Sequence, residues 1–223
     1  MKKLLTFSLA LAMLCSLAAC GGNTAPSAQP TDAAPVETPE TTPTAPVESV
    51  TPSEEPAEEE GKVLAACFSA TGNTLPLAEY IADEFGADLY EIVPETPYTD
   101  ADLDWHDSSS RTTLEMNDPD SRPAITGSVE NMDNYSIVFL GYPIWWGDAP
   151  HIIRTFLESY DFSGKTVIPF CTSGSSGMGS SATDLHDLTT DATWLDGSRF
   201  SAGTSREDMV EWVNSLDLEL EAK

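Results

Sequence analysis

Between residues 63 and 216 the chain alternates short, continuous apolar runs with stretches of helical spacing, and this alternation restricts its fold more than any other feature. Val63–Phe68, Ser136–Tyr142 and Thr166–Cys171 suit strands buried on both faces, and Leu89–Val93 reads as a further strand. Thr74–Phe85 places Leu77, Ile81 and Phe85 on one helical stripe and stops at Gly86. Ile152–Tyr160 continues as a helix, Asp184–Leu188 belongs to a short one, and Arg206–Leu216 forms the last, with Ser205 as its N-cap. A weak strand lies near Ala192–Leu195 or around Phe200. Such alternation defines an α/β protein whose parallel sheet is covered on both faces, and right-handed crossovers leave it few topologies.

One stretch breaks the rhythm. Pro94–Asn134 is long, polar and acidic, and stands where a crossover helix would be. Asp102–Met116 has helical character within it. An excursion of this length is usually functional or disordered; its Trp105, Arg111, Asn117, Pro119 and Arg122 favour an ordered, lid-like insertion.

The N-terminus carries a different message. Met1-Lys2-Lys3 is basic, Leu4–Leu17 is almost wholly apolar yet short for a permanent span, and Leu17-Ala18-Ala19-Cys20 puts small residues before a cysteine. The layout resembles the bacterial lipobox, which implies a lipidated Cys20 and stable anchoring through several acyl chains. Residues 21–61 are rich in Pro, Thr, Ala and Glu and contain no aromatic residue, Lys or Arg. They cannot bury enough apolar surface to fold, and their prolines favour an extended spacer. The expected organisation is a signal peptide over 1–20, a tether over 21–61 and one domain over 62–223, lipid-anchored outside the cytoplasm.

That domain holds 28 of the 37 acidic residues but only 8 Lys and Arg, a formal charge near −20. Such a surface repels nucleic acid and anionic lipid; it suits solubility or a cationic partner. Its two cysteines, Cys67 and Cys171, fall in runs placed on non-adjacent strands, so no disulfide is expected. No CxxC or Cys/His cluster points to a metal.

Chemistry concentrates in the loop Ser69-Ala70-Thr71-Gly72-Asn73-Thr74, between the first strand and the first helix. A helix N-terminus leaves backbone N–H groups unpaired, and its dipole favours negative charge. The hydroxyls of Ser69, Thr71 and Thr74 can donate to phosphate oxygens, and Gly72 permits a tight turn. The loop contains no Lys or Arg and fits neither a Walker A motif nor GxGxxG, so neutral donors alone would hold the phosphate. Two further loops follow strands. Pro143-Ile144-Trp145-Trp146-Gly147 offers flat aromatic surface and a turning glycine. Thr172-Ser173-Gly174-Ser175-Ser176-Gly177 offers glycines that allow close approach to a ligand.

Phe68-Ser69-Ala70-Thr71-Gly72-Asn73-Thr74 closely resembles the FMN phosphate loop of flavodoxins, Thr/Ser-x-Thr-Gly-x-Thr. Gly141–Trp146, Thr155–Thr166 and Phe170–Gly174 extend the likeness to a bacterial subfamily of flavodoxin-like proteins, as do Asn117-Asp118-Pro119 and Ser121-Arg122-Pro123 in the insertion. The resemblance implies a flavodoxin-like doubly wound three-layer sandwich with a five-stranded parallel sheet in order 2-1-3-4-5. Ligands bind there beyond the carboxyl ends of the first and third strands. It also implies FMN as cofactor, with Ser69, Ala70, Thr71, Gly72, Asn73 and Thr74 at the phosphate. Pro143, Ile144, Trp145, Trp146 and Gly147 on one side, and Thr172, Ser173, Gly174 and Gly177 on the other, would sit at the ring. Which tryptophan stacks is left open.

The function so implied is electron transfer through FMN with an unknown redox partner, and the acidic shell predicts a low potential for adding the second electron. Two alternatives stand beside it: an NAD(P)H-dependent reductase of quinones or other small acceptors, and a binding lipoprotein that has lost flavin. The domain has no second nucleotide-binding unit, against the former; its phosphate loop is intact, against the latter. No catalytic residue is assigned. His106, Asp148 and His151 are read as surface or capping residues, and Arg111 and Arg122 as partners of surface carboxylates.

Overall fold

A computed structural model describes residues 61–218 and 220; the expected signal peptide, Cys20 and nearly all of the tether lie outside these. The elements follow in the order β1 (Lys62–Cys67), α1 (Leu75–Phe85), β2 (Asp88–Glu91), β3 (Val93–Pro94), α2 (Arg111–Asn117), β4 (Ile125–Thr126), β5 (Tyr135–Pro143), α3 (His151–Glu158), β6 (Thr166–Thr172), β7 (Thr193–Trp194), β8 (Ser198–Phe200) and α4 (Arg206–Asn214). The main sheet is parallel throughout and runs β2-β1-β5-β6, with β7 and β8 sharing the place beside β6. Counted by position, this is a five-stranded sheet in order 2-1-3-4-5.

Period-two alternation along the central strands feeds two cores, one on each face. Leu64, Ala66, Val138, Leu140, Val167 and Cys171 face Ile152, Ile153, Phe156 and Leu157 of α3. Ala65, Cys67, Phe139, Ile168 and Phe170 face Leu77, Ile81 and Phe85 of α1 and Met209 and Val213 of α4. Cys67 and Cys171 are buried free thiols on strands separated by β5, as their placement in the sequence required.

The fifth position explains why two stretches competed for it in the sequence: both are strands. β7 pairs Trp194 with Val167, and β8 pairs Ser198 with Phe170, so one extra residue intervenes. Val167 accepts from Leu195 N, so alternate residues of β6 direct their backbone groups to this edge. Pro169 is among them and has no N–H to give. Gly197 passes directly over it, and a Cβ there would lie 2.5 Å from the Pro169 carbonyl oxygen.

The insertion is ordered and carries a two-residue antiparallel ladder, β3–β4. Its helix is shorter than expected. Only Arg111–Asn117 is α-helical, because Asp102, Asp104 and Asp107 accept from the backbone N–H groups of Thr99, His106 and Ser109. Such local bonds compete with helix formation. Ser110 then caps α2 by accepting from Thr113 N.

Candidate functional site

The carboxyl ends of β1, β5 and β6 are locked together. Phe68 N donates to the Gly141 carbonyl at 2.9 Å, and Ile144 N to the Thr172 carbonyl at 3.0 Å. The buried hydroxyls of Thr74 and Thr172 share a hydrogen bond of 2.8 Å, tying the loop after β1 to the end of β6 across β5. Burial makes that bond costly to lose, since an unpaired partner would remain out of water.

Within the first loop, Ser69 Oγ accepts from the amides of Thr74 (3.0 Å) and Leu75 (3.1 Å) at the start of α1. It therefore occupies an anion-like position at the helix end and keeps its own proton to donate. Thr71 and Asn73 are exposed and joined by Asn73 Nδ2 donating to Thr71 Oγ1. Gly72 takes φ +76°. Ala70 packs against the α3-side core instead. The amides that open α1 are thus taken within the loop, and the exposed donors left at this helix end are those of Thr71 and Asn73, without a cation, a set that fits a phosphate favoured by the helix dipole.

The loop after β5 doubles back sharply. Trp145 N donates to the Asp148 carbonyl and Asp148 N to the Trp145 carbonyl, both at 2.9 Å. Trp146 at φ 50° and Gly147 at φ 88° form the tip, the signature of a type I′ turn. The two tryptophans part company here. Trp145 turns inward, edge-on to Phe68 and Tyr98 at centroid distances of 5.4 Å each. Trp146 remains exposed.

These loops open on two adjoining recesses. The first, about 280 Å³, lies between Thr71 and Asn73, the Pro143–Trp145 segment, and Thr172, Ser173 and Gly174. A Cβ on Gly174 would meet nothing within 4 Å, so the backbone there is open to a ligand. Ser201 and Ala202, from the loop after β8, complete it. The second, about 310 Å³, shares Thr71, Ile144 and Trp145 and adds Trp146 with Leu103, Trp105 and Thr112 of the insertion. The structure thus brings together residues of all three loops singled out in the sequence. Ser69, Gly72, Thr74 and Gly147 shape the loops from behind, and Gly177 lines neither recess. Ser201, Ala202, Leu103, Trp105 and Thr112 were missed as lining residues. Only Trp105, a large apolar residue in a polar stretch, carried a signal.

The neighbouring titratable groups are mostly structural. Arg111 pairs with Glu115 at 2.7 Å and lies over the Tyr98 ring, whose phenol burial and Glu115 push upward. Arg122 forms two 2.8 Å bonds to Glu158. Asp148 bonds Ala149 N and pairs with Arg154. His151 corrects the expectation of a surface or capping residue: it follows the N-cap Pro150 as the first residue of α3, is only 4 % exposed, and its Nδ1 has no hydrogen-bond partner. Burial and then Arg154 hold its pKa below the usual histidine value.

The flavodoxin family model matches residues 62–216. The chain belongs to the flavodoxin family. Candidate flavoproteins from Bacteroides eggerthii (46% identity, TM-score 0.67, covering 71% of this chain and 99% of that one) and Bacteroides uniformis (45%, 0.66, 69% and 98%) are similar to it in sequence and structure. A flavoprotein from Lactobacillus acidophilus, solved in complex with FMN, shares the fold at 20% identity and TM-score 0.54, covering 71% of this chain and 99% of that one. No curated protein matches.

Proposed function

We propose that this protein binds FMN between its three loops and works as an electron-transfer protein, held at the outer face of the cytoplasmic membrane by lipid on Cys20. One observation carries the reading: the cation-free phosphate loop opens on the same recess as the loops after β5 and β6. FMN supplies reversible redox chemistry when bound, and the protein sets its binding and potential. The exposed Thr71 and Asn73 would hold the phosphate at the start of α1, while Ser69, bonded to the amides of Thr74 and Leu75, and Thr74, bonded to Thr172, would hold the loop in shape around it. Trp145 and the Thr172–Gly174 segment, which line the same recess, would hold the ring and exclude water from it. The fold holds FMN in the Lactobacillus protein, which favours that nucleotide.

The purified full-length protein is expected to show a flavin visible spectrum that bleaches with dithionite. NADH or NADPH alone should not bleach it rapidly; fast bleaching in stopped flow would assign it to the reductases instead. Mass spectrometry of the mature N-terminus should find an acylated Cys20, and an unmodified residue there would remove the membrane from the proposal.

A further inference from the structure

Cations are scarce in this domain, and nearly all of those among the described residues are committed. Lys62, Arg111, Arg122, Arg154 and Arg206 each pair with a carboxylate. Lys165 is buried and donates to the Tyr135 carbonyl. Arg199, on β8, differs from both kinds: it is exposed, and among the described residues it meets no carboxylate. Its guanidinium donates to the carbonyl of Ser173, a residue that lines the recess shared by the three loops. Ser173 N donates in turn to the Phe200 carbonyl at 3.1 Å, so β8 holds both backbone groups of Ser173. A guanidinium has more donors than that one bond uses, and it keeps its charge at any ordinary pH. A peptide carbonyl does not neutralise it. An uncompensated positive charge therefore stands beside the Thr172–Gly174 wall without itself lining the recess.

Charge close to a flavin ring governs how readily the ring takes electrons. The oxidised ring is uncharged, and two electrons with one proton leave it carrying one negative charge. The acidic domain opposes that charge, whereas a cation at the recess wall favours it. We propose that Arg199 tunes the bound cofactor: its unpaired charge, one hydrogen bond from the recess wall, favours the fully reduced anionic ring over the oxidised one. This rests on the reading that FMN occupies the recess between Pro143–Trp145 and Thr172–Gly174, and adds which redox state the recess prefers.

The test is anaerobic equilibrium dialysis of the full-length protein at alkaline pH, against oxidised FMN and against FMN reduced with dithionite. Arg199→Gln should weaken the reduced form roughly threefold to tenfold more than the oxidised form. Arg199→Lys, which keeps the charge on another headgroup, should restore most of that difference. Because Arg199 is exposed, the difference should also shrink as NaCl rises from about 10 mM to about 1 M. Equal losses in the two redox states, or a difference that Arg199→Lys leaves unrestored, would show that Arg199 only pins Ser173 and would overturn the proposal. A loss seen with FMN in both states and absent with riboflavin would place the charge at the phosphate and overturn it likewise. A chain that takes up neither form of FMN would refute the cofactor reading and this role with it, whereas FMN held by Arg199→Gln as well as by the parent in both states would refute the role of Arg199 alone.

Discussion

Trp146 and His151 sit five residues apart and carry opposite kinds of stress. Trp146 takes the first central position of a type I′ turn, where Asn before Gly is favoured and a bulky residue costs roughly 1–2 kcal/mol. Trp146→Asn should therefore raise the stability of the FMN-free protein by about 1 kcal/mol in urea melts, while weakening ligand binding; a destabilised variant would mean that the indole is structural. His151 is buried with Nδ1 unpaired, and its pKa is lowered by burial and Arg154. An unfolded histidine takes a proton near pH 6.5, which the folded one resists. The unfolded state thus binds more protons, and stability present above pH 6.5 is lost as pH falls below it. His151→Gln should flatten that slope between pH 7 and 5.5; an unchanged slope would locate the titration elsewhere.

At the scale of elements, what could be read in the sequence followed from burial. β1, β5 and β6 are buried on both faces and showed as continuous apolar runs. The helix stop at Gly86 and the Ser205 cap were equally legible, since each rests on local chemistry: Gly86 at φ 69°, and a reciprocal capping box between Ser205 and Asp208. Ser205→Ala should accordingly cost about 1 kcal/mol, measured by chemical denaturation, and no loss would show that α4 is held by Met209 and Val213 alone. The rest was hidden because it depends on partners far away in sequence. The split fifth strand reflects Pro169 in a neighbouring strand, and β3–β4 is too short to show a period. The phosphate loop was legible as a contiguous motif. Leu103, Trp105, Thr112, Ser201 and Ala202 reach the recesses only through the chain's path, and the different fates of Trp145 and Trp146 depend on a turn whose first central residue breaks the usual preference.

For the whole molecule, charge dominates. A domain with a net charge near −20 repels itself, and its phosphate loop contains no cation to offset the charge of an incoming phosphate. Salt screens both effects over about 10 Å at 0.1 M. The melting temperature and the affinity for FMN should therefore both rise between about 10 and 150 mM NaCl; falling affinity would reveal a cationic contact that the loop lacks. The loop Ser69–Thr74, at the positive end of α1, recognises a phosphate on this reading. Fluorescence titration of the full-length protein with FMN and with riboflavin, which differ only by that group, tests it most directly. Charge-assisted bonds to two or three phosphate oxygens, at about 1.5–3 kcal/mol each, predict that FMN binds at least about a hundredfold more tightly than riboflavin. Equal affinities, or no quenching of either flavin, would contradict the assignment of this loop.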